Sequence, residues 1–238
     1  MKLDILVIAA HPDDAELSCS GTIALQISKG NKVGVLDLTR GELGTRGTPE
    51  IRETEASAAS EILGLAMRGN AMLPDGFFQN DENNQLKIAS YIRKYQPEIV
   101  IANAANDRHP DHGRAAQLVK DSCFISGLAR VKTVFEGKDQ KPWRPGVLYH
   151  YIQSNYIVPD FIVDISDFWG IKIASIRAHK SQFFDPASKE PETYISSPRF
   201  LEFIQARCQQ WGHAIGTAYG EGFTVERHIG VKNLWDLV

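Results

Sequence analysis

The stretch Leu3-Asp4-Ile5-Leu6-Val7-Ile8-Ala9-Ala10, followed directly by His11-Pro12-Asp13-Asp14-Ala15-Glu16, decides the fold. Its first half is short, rich in branched side chains and apolar on both faces, the pattern of a buried parallel strand. Its second half is polar and gives way to a helical pattern from Ala15 to Lys29, with Gly30-Asn31 as the stop signal. A buried strand that ends in a polar turn and runs into a helix opens a βαβ unit.

The rest of the chain continues the alternation. Lys32–Thr39 reads as a second buried strand, and a helix follows from Thr48, a candidate N-cap, and Pro49 to about Leu63, before Gly64. A helix over about Asn83–Tyr95, a strand Glu98–Ala102 and a helix over about Asp111–Phe124 come next. Later strands are expected at Val147–Ile152 and Phe161–Ile165, helices at about Asp167–His179 and Pro198–Ala218, and a β-like run at Thr224–Val231. The stretch Gly216–Gly222 reads as a turn, because it does not follow a strand and open a helix as a dinucleotide fingerprint does. The alternation predicts an α/β fold: a single Rossmann-like domain over residues 1–238, with a mostly parallel sheet and helices on both faces.

Composition narrows the function. The 238 residues are 43% hydrophobic and 23% charged with a net charge of -3, so the chain has a core and lacks the basic excess of a nucleic-acid binder. No apolar run reaches the roughly 18–20 residues of a membrane span. Asp4 interrupts the first apolar run and only Lys2 precedes it, so a signal peptide is not expected. Cys19, Cys123 and Cys208 are odd in number and far apart, which argues against a disulfide framework and for the cytosol. Seven histidines stand ready as metal ligands or acid–base groups.

Two polar clusters fall at strand ends, where α/β sheets carry their sites. His11, Asp13 and Asp14 set two adjacent carboxylates beside an imidazole; a divalent cation would relieve their repulsion, although a turn with a helix N-cap accounts for the same residues. Arg108-His109-Pro110-Asp111-His112 places two histidines three apart at a helix start, a weak signal alone. Together they supply two His and one Asp with a position left for water, the composition of a catalytic zinc site. A magnesium-dependent phosphoryl-transfer or receiver-type domain is the rival of another class: it explains Asp13 and Asp14 but leaves the three histidines without work.

His-Pro-Asp-Asp-Ala-Glu after the first strand with His-Pro-Asp-His further on resembles the LmbE-like (PIG-L-like) zinc N-deacetylases. Leu36–Gly44, Glu50-Ile51-Arg52, Arg108 and Ser181-Gln182-Phe183 look like one branch, the bacillithiol-pathway deacetylases that act on N-acetylglucosaminyl-malate. The resemblance implies a hydrolase that removes acetyl from an N-acetylglucosaminyl conjugate, with another N-acetyl sugar as the alternative. It implies one Zn2+ per chain, or another divalent metal, held by His11, Asp14 and His112. Asp13 matches the base that takes a proton from the metal's water, and His109 the group that stabilises the oxyanion. Asp111 and Glu16 are expected just outside the ligands. Arg52, Arg108, Arg46 and Arg144 are candidates for gripping substrate carboxylates. The expected partner is a small molecule, with neither nucleic acid nor membrane, and the protein is expected in the cytoplasm, as a homo-oligomer. Ser18-Cys19-Ser20-Gly21 departs from a run the family often has glycine-rich, and His179 is the unassigned histidine nearest to a site role.

Overall fold

The computed structural model describes residues 1–237. In chain order the elements are β1 (Ile5–Ala9), α1 (Asp14–Ser28), β2 (Val33–Asp37), α2 (Pro49–Leu63), β3 (Met67–Asn70), α3 (Glu82–Tyr95), β4 (Ile99–Ala102) and α4 (Pro110–Ser126). There follow a small hairpin of β5 (Val134–Phe135) and β6 (Lys138–Asp139), then β7 (Val147–Tyr151), β8 (Phe161–Asp164), α5 (Trp169–Ala178), α6 (Phe200–Ala214) and β9 (Gly220–Val225).

The main sheet runs β3-β2-β1-β4-β7-β9-β8. The first five of these strands are mutually parallel; β9 alone runs the other way, pairing antiparallel with β7 on one side and with the edge strand β8 on the other. The mostly parallel Rossmann-like sheet expected from the sequence is therefore present. Side-chain alternation along β1 explains why helices cover both faces. Leu6 and Ile8 pack with Ile88, Ile92, Leu118 and Val119 of α3 and α4. Ile5, Val7 and Ala9 pack with Ala15, Ile23 and Leu63 of α1 and α2. Among the described residues no helix is long and apolar enough to cross a membrane.

Local signals fix several boundaries. The Thr48 hydroxyl accepts the Ile51 N–H at 3.3 Å, Pro49 opens α2, and Gly64 ends it with a left-handed φ of 72°. Two expectations need correction. The run Met67–Asn70 is a strand, missed because an edge strand carrying Arg68 and Gly69 has neither apolar continuity nor alternation. The last strand is Gly220–Val225 rather than Thr224–Val231, so it takes up part of the supposed turn. Glycine is needed there for close packing: a Cβ on Gly220 would lie 2.6 Å from Ile162 and 3.0 Å from the backbone of Gly212 in α6.

Strands β1 and β4 are parallel neighbours, with Ile8 opposite Ala102. The chain leaves β1 to one side and β4 to the other, so their carboxyl ends flank the point where strand order reverses. The turn His11–Asp14 and the loop 103–112 are thereby set side by side.

Candidate metal centre and active-site cavity

A cavity of about 340 Å³ opens at that point, walled by His11, Asp13, Asp14, His109 and His112, with Arg46, Arg52 and Arg108 around them. A larger cleft of about 590 Å³ lies beside Asp37 and Arg68 but contains none of the histidines. The histidines and the Asp13–Asp14 pair line the smaller one.

Asp14 is the hub. Its Oδ2 accepts the His11 backbone N–H at 3.0 Å and the Asn103 side-chain amide at 3.2 Å, and Oδ1 accepts the Gln153 amide at 2.6 Å. His11 Nδ1 stands 3.4 Å from Oδ2 and His112 Nε2 3.3 Å from Oδ1. The outer ring nitrogens face carboxylates: His11 Nε2 lies 3.0 Å from Asp75 and 3.3 Å from Asp111, and His112 Nδ1 lies 3.3 Å from Asp107. Two imidazoles turned inward to one carboxylate, each backed by an outer carboxylate, is the donor chemistry of a catalytic zinc site, and it fits a divalent cation. Ring nitrogens of His11, His109 and His112 also lie within 4.8 Å of one another, so the cluster is wider than the trio expected from sequence.

The charges show how strongly this cluster shifts its protons. Burial opposes charge on His11, but Asp111, Asp14 and Asp75 outweigh it and hold its pKa well above the ordinary value. His112 is likewise pushed up to about 9, with Asp14 and Asp107 overcoming burial. Asp14 is held well below the carboxylate range, because His112 and His11 outweigh its burial. His109 moves the other way: burial, then His11 and His112, lower its pKa. A cation binding these donors would displace the protons that the imidazoles otherwise hold.

Asp13 stands apart. It precedes α1, yet its side chain makes no capping hydrogen bond, which overturns the simple N-cap reading. Its backbone sits at φ 122° and ψ -23°, a region non-glycine residues avoid, at a cost of order 1–3 kcal/mol. The carboxylate lies 3.4 Å from the Arg52 guanidinium. Burial pushes its pKa up to about 6, with Arg52 pulling down and Asp14 adding to the rise.

The other expected residues divide. Asp111 works through two groups: its backbone N–H donates to His109 Nδ1, while its carboxylate meets His11. Glu16 lies further back, fully buried against Arg68 and 3.6 Å from His179. Arg52 binds the carbonyls of Gly41 and Pro12, so it supports the Asp13 turn. Arg46 is tied to Ser181 and Ser188 in the cavity wall, and Arg108 stacks over Tyr194 with 4.4 Å between guanidinium and ring centre. Arg144 is a correction: it binds the Phe124 carbonyl and covers that ring, and it takes no part in the cavity wall. Asp75, Asp107, Asn103 and Gln153 were missed. Asn103 and Asp107 lie in the loop after β4, and Gln153 just past the end of β7, so the strand-end rule reaches all three. Asp75 gave no signal beyond a turn.

A Rossmann-like sheet with such a donor set at its switch point defines a metal-dependent enzyme of the α/β class. Comparison with known proteins gives the family. The family "PIG-L: GlcNAc-PI de-N-acetylase" matches residues 6–123, spanning both histidine clusters. A solved structure of the conserved protein TT1542 from Thermus thermophilus is 38% identical, covers 97% of this chain and 98% of its own, and superposes with a TM-score of 0.85. Diacetylchitobiose deacetylase of Thermococcus kodakarensis is 29% identical over 230 residues, 92% of this chain and 81% of that protein. A 4-oxalmesaconate hydratase of Pseudomonas putida is 26% identical over 193 residues, 74% of this chain and 73% of that protein. The chain belongs to the PIG-L family, an enzyme family of de-N-acetylases, and the receiver-type reading is set aside.

Proposed function

We propose that this protein is a zinc-dependent hydrolase that removes the acetyl group from an N-acetylglucosaminyl conjugate, with N-acetylglucosaminyl-malate of the bacillithiol pathway as its substrate. The observation that carries the reading is the convergence of His11, Asp13, Asp14, His109 and His112 on one cavity. The deacetylase relative supports the reaction class. The malate branch is supported by the matching sequence segments and by Arg108 at the cavity wall, where a guanidinium can pair with a carboxylate.

His11, Asp14 and His112 would hold the metal. Zinc, when bound, supplies a Lewis acid for the amide carbonyl and acidifies water towards a pKa of about 7. Asp13 accepts the proton of the attacking water as the new C–O bond forms. Arg52 holds that carboxylate in place through the Asp13 turn. His109 keeps its proton on Nε2 and donates a hydrogen bond to the developing oxyanion. Asp13 then passes its proton to the departing nitrogen as the C–N bond breaks, releasing acetate and a free amine.

Amine release from N-acetylglucosaminyl-malate, set beside N-acetylglucosamine and diacetylchitobiose, with and without chelator, tests this. Loss of activity with chelator, its return with zinc and a preference for the malate conjugate are expected. Equal rates on all three sink the malate assignment; chelator-insensitive release sinks the metal reading. The hydratase relative favours a second reading, addition of water to an unsaturated polycarboxylate by the same cluster. Hydration of such a substrate without amine release would select it. The buried free thiols support a reducing cytosol, and exposed Leu234 and Trp235 support a homo-oligomer, which light scattering would reveal.

A further inference from the structure

Helix α1 is broken soon after it starts. Cys19 sits at φ -141° and ψ 17°, outside helical geometry. Carbonyls before the break and N–H groups after it therefore need other partners. Bulk solvent does not reach this segment, since Glu16, Cys19 and Ser20 are fully buried.

Two side chains from distant parts of the chain do. Lys172 Nζ, from α5, donates to the carbonyls of Glu16 at 3.1 Å and Leu17 at 2.9 Å. Glu221, from β9, accepts the N–H of Gly21 at 3.0 Å, the N–H of Thr22 at 2.7 Å and the Thr22 hydroxyl at 2.6 Å. The two meet at 2.8 Å, and both are 0% exposed. All three protons of the ammonium group are thus spoken for. Burying an ion pair is a costly way to stabilise a helix, because an unbroken helix satisfies its own backbone without it. What the break adds is direction. It frees the segment Asp14–Ser18 from the axis of the remaining helix, and that segment carries Asp14, with Asp13 immediately before it.

We propose that Lys172 and Glu221 are a positioning pair for the metal centre: by clamping the break in α1 they set where the Asp13–Asp14 turn points. The inference rests on Asp14 being a metal ligand. None of the hydrogen bonds of the pair goes to His11, Asp14 or His112, so the effect travels through the backbone of α1.

The test uses the full chain with Lys172→Met and Glu221→Gln combined, which removes both charges and leaves no unpaired ion behind. The readouts are zinc affinity by competition with a chromogenic chelator, amide exchange at Gly21 and Thr22, and kcat against KM. A folded double variant should bind zinc about 10–100-fold more weakly, the usual size of an outer positioning effect. Gly21 and Thr22 should exchange faster, and kcat should fall while KM stays within about threefold. A folded double variant with zinc affinity within about twofold of the parent overturns the inference, whatever its melting temperature. If the double variant does not fold, Glu221→Gln alone decides. It keeps an acceptor oxygen and should weaken zinc by roughly 3–10-fold; unchanged affinity overturns the inference. A parent protein that binds no zinc overturns the metal reading itself, and this inference with it, before any variant is made.

Discussion

The backbone N–H of Asp111 donates to Nδ1 of His109 at 3.2 Å, so that His109 is the side-chain cap of α4. A ring nitrogen that accepts carries no proton, which leaves the proton on Nε2. The lowered pKa keeps the ring neutral near pH 7. His109→Ala should therefore lower kcat by about 10²–10³, the loss typical of one oxyanion donor. Zinc content per folded chain should stay at one. If metal and activity fall together, His109 is a ligand, as its closeness to His11 and His112 also allows.

Asp13 lends itself to a paired substitution, because its backbone and its carboxylate are separable. Asp13→Ala and Asp13→Gly both remove the base, and both should keep zinc while losing nearly all turnover. Only glycine relieves the backbone at φ 122°. Asp13→Gly is expected to be the more stable of the two by about 1–3 kcal/mol in denaturant titration. Equal stabilities would show that the turn holds no backbone strain, and surviving turnover would remove Asp13 as the base.

Arg108 and Arg144 make a second contrast. Arg108 faces the cavity beside Tyr194, whereas Arg144 covers Phe124. Arg108→Ala should raise KM for an anionic conjugate by roughly 10–100-fold, the value of one charge-assisted hydrogen bond, and much less for neutral N-acetylglucosamine. Arg144→Ala should leave KM within about twofold for both and cost at most about 1 kcal/mol of stability. A KM effect at Arg144 as large as that at Arg108 would contradict the structure.

The thiols should be silent. Burial pushes Cys123 up to about 12 and Cys208 up to about 11, and Cys19 is raised by burial and by Glu221. A raised thiol pKa means less thiolate at a given pH, so at pH 8 the native protein should give almost no reaction with a disulfide reagent. All three thiols should react once the chain is unfolded. Fast labelling of the native protein would show that the regions around these residues open readily.

Much of the architecture is legible in the residues because its signals are local. Leu3–Ala10 carries the pattern of a strand buried on both sides, and Ile5–Ala9 within it forms β1, while Thr48-Pro49 with Gly64 marks both ends of α2. The edge strand β3 was not legible, since Arg68 turns inward to pair with Asp37 and Glu16 from other elements. The start of β9 was hidden for a related reason. Its glycines answer to the closeness of α6, and nothing within the segment announces that neighbour.

At the site, residue types and their place at strand ends pointed to a metal and a base, since a divalent cation relieves the repulsion of paired carboxylates beside imidazoles. The family motif follows the same chemistry. The partners beyond that motif were decided only in three dimensions. Asp75 behind His11, Gln153 on Asp14, Arg52 beside Asp13 and the Lys172–Glu221 clamp lie tens to hundreds of residues from what they touch. Sequence alone determined which groups could do the chemistry, because that depends on side-chain type and local backbone. Which groups hold them in place was left to packing, because hydrogen bonds between distant segments exist only once the sheet has brought those segments together.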